Sequence, residues 1–218
     1  MRILKKFIDT FCIWLITDIP GGLGQRIRFF YWRRRFMSCG NNIRIDQGVI
    51  FNNPENIILK SNIWIHGYSI LTAPAKEVTH AKNKNIIENK KGKLLEIGNE
   101  VQIGSYNIIN GIGGIDIKDC VTLSAGVSIY SSTHLPNNPE DFSMPIGHNG
   151  MVRSRQVFSK NHKVSIETGA WLGLDAKIIC ASVGEESFIK SGCIITKDVK
   201  PNSVIGLNGY QGEHYFKK

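Results

Sequence analysis

An all-β solenoid, a chain wound into a narrow triangular coil, is the fold this sequence predicts, and three observations predict it. From residue 97 onward Ile or Val falls at Ile97, Ile103, Ile109, Ile115, Val121 and Val127, six residues apart each time. A period of six suits neither a helix nor a flat strand, but it suits a chain that turns one corner of a triangle every six residues and points an aliphatic side chain inward at each. The rhythm also recurs on both sides of this run, at Ile43, Val49, Ile57 and Ile63 with a two-residue slip before Ile57, and at Ile166, Leu172, Ile178, Val183, Ile189 and Ile195 with one five-residue step before Val183. Finally, asparagines such as Asn52, Asn53 and Asn62 stand where the corners must be, and asparagine tolerates left-handed backbone angles. Small residues such as Val101 and Ala125, four positions after an aliphatic, are expected to face the narrow interior.

Taken in order, the chain divides into an amphipathic helical segment over 1–40, a coil over 41–206 and a tail over 207–218. In the first segment Leu4, Phe7, Ile8, Phe11, Trp14 and Leu15 have helical spacing, and the apolar run is too short to span a bilayer. Pro20-Gly21-Gly22 ends that stretch, and a second helix over 24–36 mixes Ile27, Phe29, Phe30, Tyr31 and Trp32 with arginines. Two excursions interrupt the coil, at 72–94, rich in Lys, Glu and Asn, and at 135–163, which holds three prolines. His66 and His80 fall before and within the first excursion and are expected to be solvated. The coil is left through Pro201-Asn202-Ser203-Val204.

The 218 residues carry 27 Lys and Arg against 18 Asp and Glu, a net charge of +9, and six of that excess lie in residues 1–40. Aromatics beside clustered arginines suit either an anionic membrane surface, touched through residues 1–38, or helices that pack on the coil end. No nucleic-acid module accompanies the basic patch, so no nucleic-acid partner is expected. The five cysteines show no pair at CxxC spacing, which predicts reduced thiols in a cytoplasmic protein, without a zinc site or disulfide framework.

A regular coil is stiff and nearly featureless, so chemistry is expected where it breaks. His134 lies where the period fails, after Ser131-Ser132-Thr133 and before the long excursion, and imidazole near its ordinary pKa is a fit general base. The three hydroxyl residues are the covalent alternative, but no separate base for them is evident.

Ile103-Gly104 leading to Asn110, the run 117–134, Ala170-Trp171-Leu172-Gly173 and Ile195-Thr196-Lys197-Asp198-Val199 together give the chain a family likeness over about 43–206. It resembles the hexapeptide-repeat acyltransferases, and within them the bacterial galactoside and maltose O-acetyltransferases and their surface-polysaccharide relatives. The resemblance implies a left-handed parallel β-helix, a homotrimer with active sites in the clefts between subunits, and acetyl-CoA as acyl donor. It also implies that His134 is the catalytic histidine and that Asn110, Leu174, Ser191, Thr196 and Lys197 contact the coenzyme, Lys197 screening its phosphates. The Ile-Gly pair common in the last coils is Ile189-Lys190 here, and Gly206-Leu207-Asn208-Gly209 stands in place of a Gly-Asn-Pro-Ala ending. The excursion after His134 is longer than in the small sugar acetyltransferases, implying a larger acceptor.

The expected function is therefore acetyl-CoA-dependent O-acetylation of a sugar in surface-polysaccharide biosynthesis, the acceptor being a sugar or lipid-linked saccharide at the inner face of the cytoplasmic membrane. The alternative is N-acetylation of a nucleotide-linked amino sugar. A metal enzyme resembling the γ-type carbonic anhydrases needs converging imidazoles, whereas His134, His148 and His162 are far apart in the chain. A non-catalytic scaffold is the remaining class.

Overall fold

The structure, a computed structural model, describes residues 13–75, 94–135, 158–206 and 209–213, with the backbone alone at 134, 135, 158–161 and 209–213. Three parallel sheets wind around one interior, forming a left-handed β-helix. The first face stacks Ser38–Cys39, Ile57–Leu59, Leu95–Ile97, Ile115–Ile117 and Val164–Ile166. The second runs from Ile43–Ile45 through Ile63–Ile65, Gln102–Ile103, Thr122–Leu123, Trp171–Leu172 and Phe188–Ile189 to Ser203–Gly206. The third stacks Ile50–Asn52, Ile70–Thr72, Ile108–Asn110, Ser128–Tyr130, Lys177–Ile179 and Ile194–Ile195.

The inward positions are nearly all aliphatic because a prism this narrow leaves no room for water to solvate a polar group. Ile97, Ile103, Ile109, Leu123, Ile129, Leu172, Ile178 and Ile189 are all buried, each burial contributing about 1.5–3 kcal/mol. The strict six-residue reading of 97–127 needs one correction. Ile117 pairs with Ile97, twenty residues earlier, and Ile129 with Ile109, so a coil holds twenty residues rather than three sixes. The extra two lie at the corner from the third face to the first, and the slip before Ile57 is the same corner two turns earlier. Val121 and Val127 are therefore buried one inward position ahead of Leu123 and Ile129. Ala125 is corrected too: it sits in a turn rather than inside. The buried alanines among the described residues are Ala73, Ala170, Ala176 and Ala181.

The corners set the backbone at left-handed angles. At the corner from first face to second these are Asn42, Asn62, Glu100, Cys120, Gly169, Glu186 and Asn202, and at the next corner Gly48, Tyr68, Tyr106, Gly126, Asp175 and Gly192. Late coils are shorter, yet Ile166 still bridges to Val183 and Lys177 pairs with Ile194, so the five-residue step leaves the stacking intact. Ser203–Gly206 stays in the second sheet and pairs antiparallel with Gly209–Glu213.

At the other end residues 13–17 are helical, and helix α1 (Gly21–Trp32) lies across the first coil. Trp32 and Phe36 meet Phe51 edge-on at 5.0 and 4.9 Å, closing the open base of the prism. Arg28 is buried, with Nε donating to the Ile45 carbonyl at 2.8 Å and Nη1 to those of Ile19 at 2.7 Å and Ile16 at 3.0 Å. Burial pushes its guanidinium pKa down, opposed by the charges of Asp46 and Asp18. Of the two roles weighed for this segment, capping is the one its inner face performs.

Candidate active site

Both excursions leave the coil at the same corner, after Thr72 and after Ser131, and the chain returns at Leu95 and Val164 on the first face. Between them in the stack lies Asn110, paired with Thr72 on one side and Tyr130 on the other. Its side-chain oxygen accepts the Ile112 N–H at 3.4 Å. The second excursion opens with Ser132–Leu135, which pairs antiparallel with Phe158–Asn161 and sets His134 opposite Ser159.

One buried hydroxyl joins these pieces. Ser131 Oγ accepts the Gly113 N–H at 2.8 Å and donates to the Asn110 carbonyl at 3.0 Å, while the Ser131 carbonyl accepts the His162 N–H at 2.8 Å. Gly113 is required there, since a Cβ on it would lie 2.1 Å from the Ser131 carbonyl oxygen. The corner carrying Asn110 and the root of the segment carrying His134 are thus fixed to each other. Ser131 is no nucleophile, because its hydroxyl is buried and committed to structure.

The remaining expected residues divide between two edges. Thr196 and Lys197 follow Ile194–Ile195 and are exposed at the corner that also bears Asn110. Leu174 and Ser191 lie one above the other at the corner between second and third faces, where Gly192 N–H donates to the Leu174 carbonyl at 2.8 Å. The third face separates the two edges. Burial pushes the thiol of Cys193, behind the Ser191 turn, upward, so it is no ready nucleophile.

Sequence reasoning missed the positioning pair Ser131 and Gly113, although the run Gly111-Ile112-Gly113-Gly114 marked a close backbone approach. It also misjudged His66, which is not simply solvated: it stacks on Trp64 at 4.3 Å and faces Asp46 at 3.5 Å. His80 and His148 lie outside the described residues. Among the described residues no three His, Cys, Asp or Glu side chains gather where they could hold a metal ion.

No family model matches the sequence. The bifunctional protein GlmU of Listeria monocytogenes is 27% identical over 182 residues, 78% of this chain and 38% of that protein. The chain therefore spans well under half the length of this curated relative. Among solved structures, AntD, an N-acyltransferase from Bacillus cereus in complex with dTDP and coenzyme A, superposes with a TM-score of 0.66 at 18% identity, covering 85% of this chain and 88% of its own. Galactoside acetyltransferase in complex with coenzyme A gives 0.54 at 18% identity, covering 98% and 86%. The chain shares the coiled fold of two acyltransferases solved with coenzyme A. That likeness is one of fold and concerns the coil.

Proposed function

We propose that this acyltransferase transfers an acetyl group from acetyl-CoA to a sugar hydroxyl during surface-polysaccharide biosynthesis. The observation that carries the reading is the hydrogen-bonded union, through Ser131, of the Asn110 corner with the root of the His134 strand. His134 takes the proton of the acceptor hydroxyl as its oxygen attacks the thioester carbonyl, then returns a proton to the departing thiolate. Asn110 holds the thioester end of the coenzyme. Leu174 and Ser191 contact its pantetheine arm, and Thr196 with Lys197 meets its phosphates. Because the third face separates Leu174 and Ser191 from Asn110, we place each active site between two subunits of a homotrimer. Replacing His134 by Ala is expected to lower the acetyl-transfer rate at least a hundredfold while coenzyme A affinity persists. Undiminished transfer to every sugar tried would refute the assignment.

The second reading is N-acetylation of a nucleotide-linked amino sugar. Its support is the likeness to AntD, solved with dTDP, at the higher of the two TM-scores. Offering hydroxyl sugars and nucleotide-linked amino sugars side by side with acetyl-CoA separates the two. A lipid-linked acceptor at the inner face of the cytoplasmic membrane fits the exposed Leu23, Phe30 and Met37 near Arg26, Arg33 and Arg34. Among the described residues no helix is long and apolar enough to cross a membrane.

A further inference from the structure

We propose that the exposed Tyr106 ring and the Asp175 carboxylate that covers the next rung, Gly126, form a saccharide subsite on the edge that also bears Leu174; this rests on the reading of the acceptor as a sugar. The corner between second and third faces is a ladder. Tyr106 N–H donates to the Gly67 carbonyl, Gly126 N–H to Ser105, Asp175 N–H to Ala125 and Gly192 N–H to Leu174. Its rungs require left-handed backbone, and Gly48, Gly126 and Gly192 occupy them without strain. Tyr68 and Tyr106 occupy the same rungs at φ near 60° and are the bulkiest side chains in that backbone region among the described residues. A strained aromatic held on a surface where glycine would serve points to a use for its ring.

The rings are arranged to present a platform. Tyr68 lies against Gly48, where a Cβ would meet its ring at 2.4 Å, and Tyr106 stacks on Tyr68 with centroids 5.5 Å apart and planes 9° from parallel. The next rung, Gly126, offers no side chain, and Tyr106 remains 64% exposed. On the far side the Asp175 carboxylate leans over Gly126, 2.1 Å from where a Cβ would stand. It accepts no hydrogen bond and joins no ion pair among the described residues. An aromatic face for the apolar C–H side of a pyranose and, beside it, an unpaired carboxylate for its hydroxyls make a saccharide-binding arrangement, built on a rigid scaffold. Ala125 and Leu174, the residues preceding Gly126 and Asp175, put the subsite on the edge proposed for the coenzyme arm, so donor and acceptor share it.

The test pairs Tyr106→Gly with Asp175→Asn in the full chain. Glycine suits the left-handed rung, so Tyr106→Gly should melt no lower than wild type. Acetyl transfer is measured with glucose, galactose, N-acetylglucosamine, maltose and lactose as acceptor probes. Each variant should raise the acceptor KM about tenfold, with coenzyme A affinity and oligomeric state unchanged. If the wild type acetylates a probe and both variants keep its KM, the subsite is wrong while the functional reading stands. If the wild type acetylates none of the probes, both fall. A loss of assembly or a lower melting temperature in Tyr106→Gly would make the tyrosine pair a subunit contact and also overturn the subsite.

Discussion

Asn107 is the residue most at odds with its surroundings. It is fully buried at an inward position that Val127 fills in the next coil, yet neither its side-chain nitrogen nor its oxygen has a hydrogen-bond partner. Its backbone N–H donates to Ser69 Oγ at 3.2 Å, which in turn donates to the Gly104 carbonyl at 2.9 Å, so the backbone there needs nothing from the amide. An unsatisfied buried polar group costs about 1–3 kcal/mol. Asn107→Val should therefore stabilise the protein by about 1–2 kcal/mol, raising the melting temperature by about 3–6 °C. Asn107→Asp, which buries a charge, should lower it, and thermal unfolding of the pair checks both signs. At this scale a residue that breaks a rhythm, as His134 does, stands out in the sequence as a candidate. The sequence was illegible where a residue keeps the rhythm and differs only in its partners. Ser131 reads as one of three hydroxyl residues, and only the hydrogen bonds to Gly113 and Asn110 distinguish it.

Among the elements, α1 shows how far composition can mislead. Its arginines read alike in sequence, but Gly24, Arg28 and Trp32 form the buried stripe, and Leu23, Arg26 and Phe30 are left outside. Arg28 holds the carbonyls of Ile16, Ile19 and Ile45, so Arg28→Ala should cost about 3 kcal/mol in chemical unfolding. Arg26, Arg33 and Arg34 are exposed, and reversing all three to Glu should leave stability within about 1 kcal/mol while abolishing sedimentation with phosphatidylglycerol vesicles. Vesicle binding that survives the triple reversal would remove these arginines from any membrane contact. The strands were more legible than the helix because burial on one side imposes alternation. Periodicity shows the two-residue excess at the corner before Ile57 but hides it after Ile109, where Ile115, Val121 and Val127 are themselves buried and continue a false series of sixes.

For the molecule as a whole, the proposed site residues fall on two edges, and the proposed assembly rests on that distribution. Asn110, His134, Thr196 and Lys197 stand at or beside one corner of the prism and Leu174 with Ser191 at another, with the width of the third face between them. On the proposed assignments a coenzyme touching both sets lies between copies, as in the cyclic trimer the resemblance implies. Such a site can be rebuilt from two broken subunits. His134→Ala lacks the base and Leu174→Glu repels the coenzyme, so each alone should be inactive. When the two are denatured together in equal amounts and refolded, an interface is intact where an unaltered His134 edge meets an unaltered Leu174 edge. Random assembly makes about a quarter of the interfaces intact, and the mixture should recover about a quarter of wild-type transfer activity. Recovery of none would mean that one chain supplies the whole site, and the coenzyme would then have to lie across the third face, over Ile108 and Ser128 in the middle of the stack.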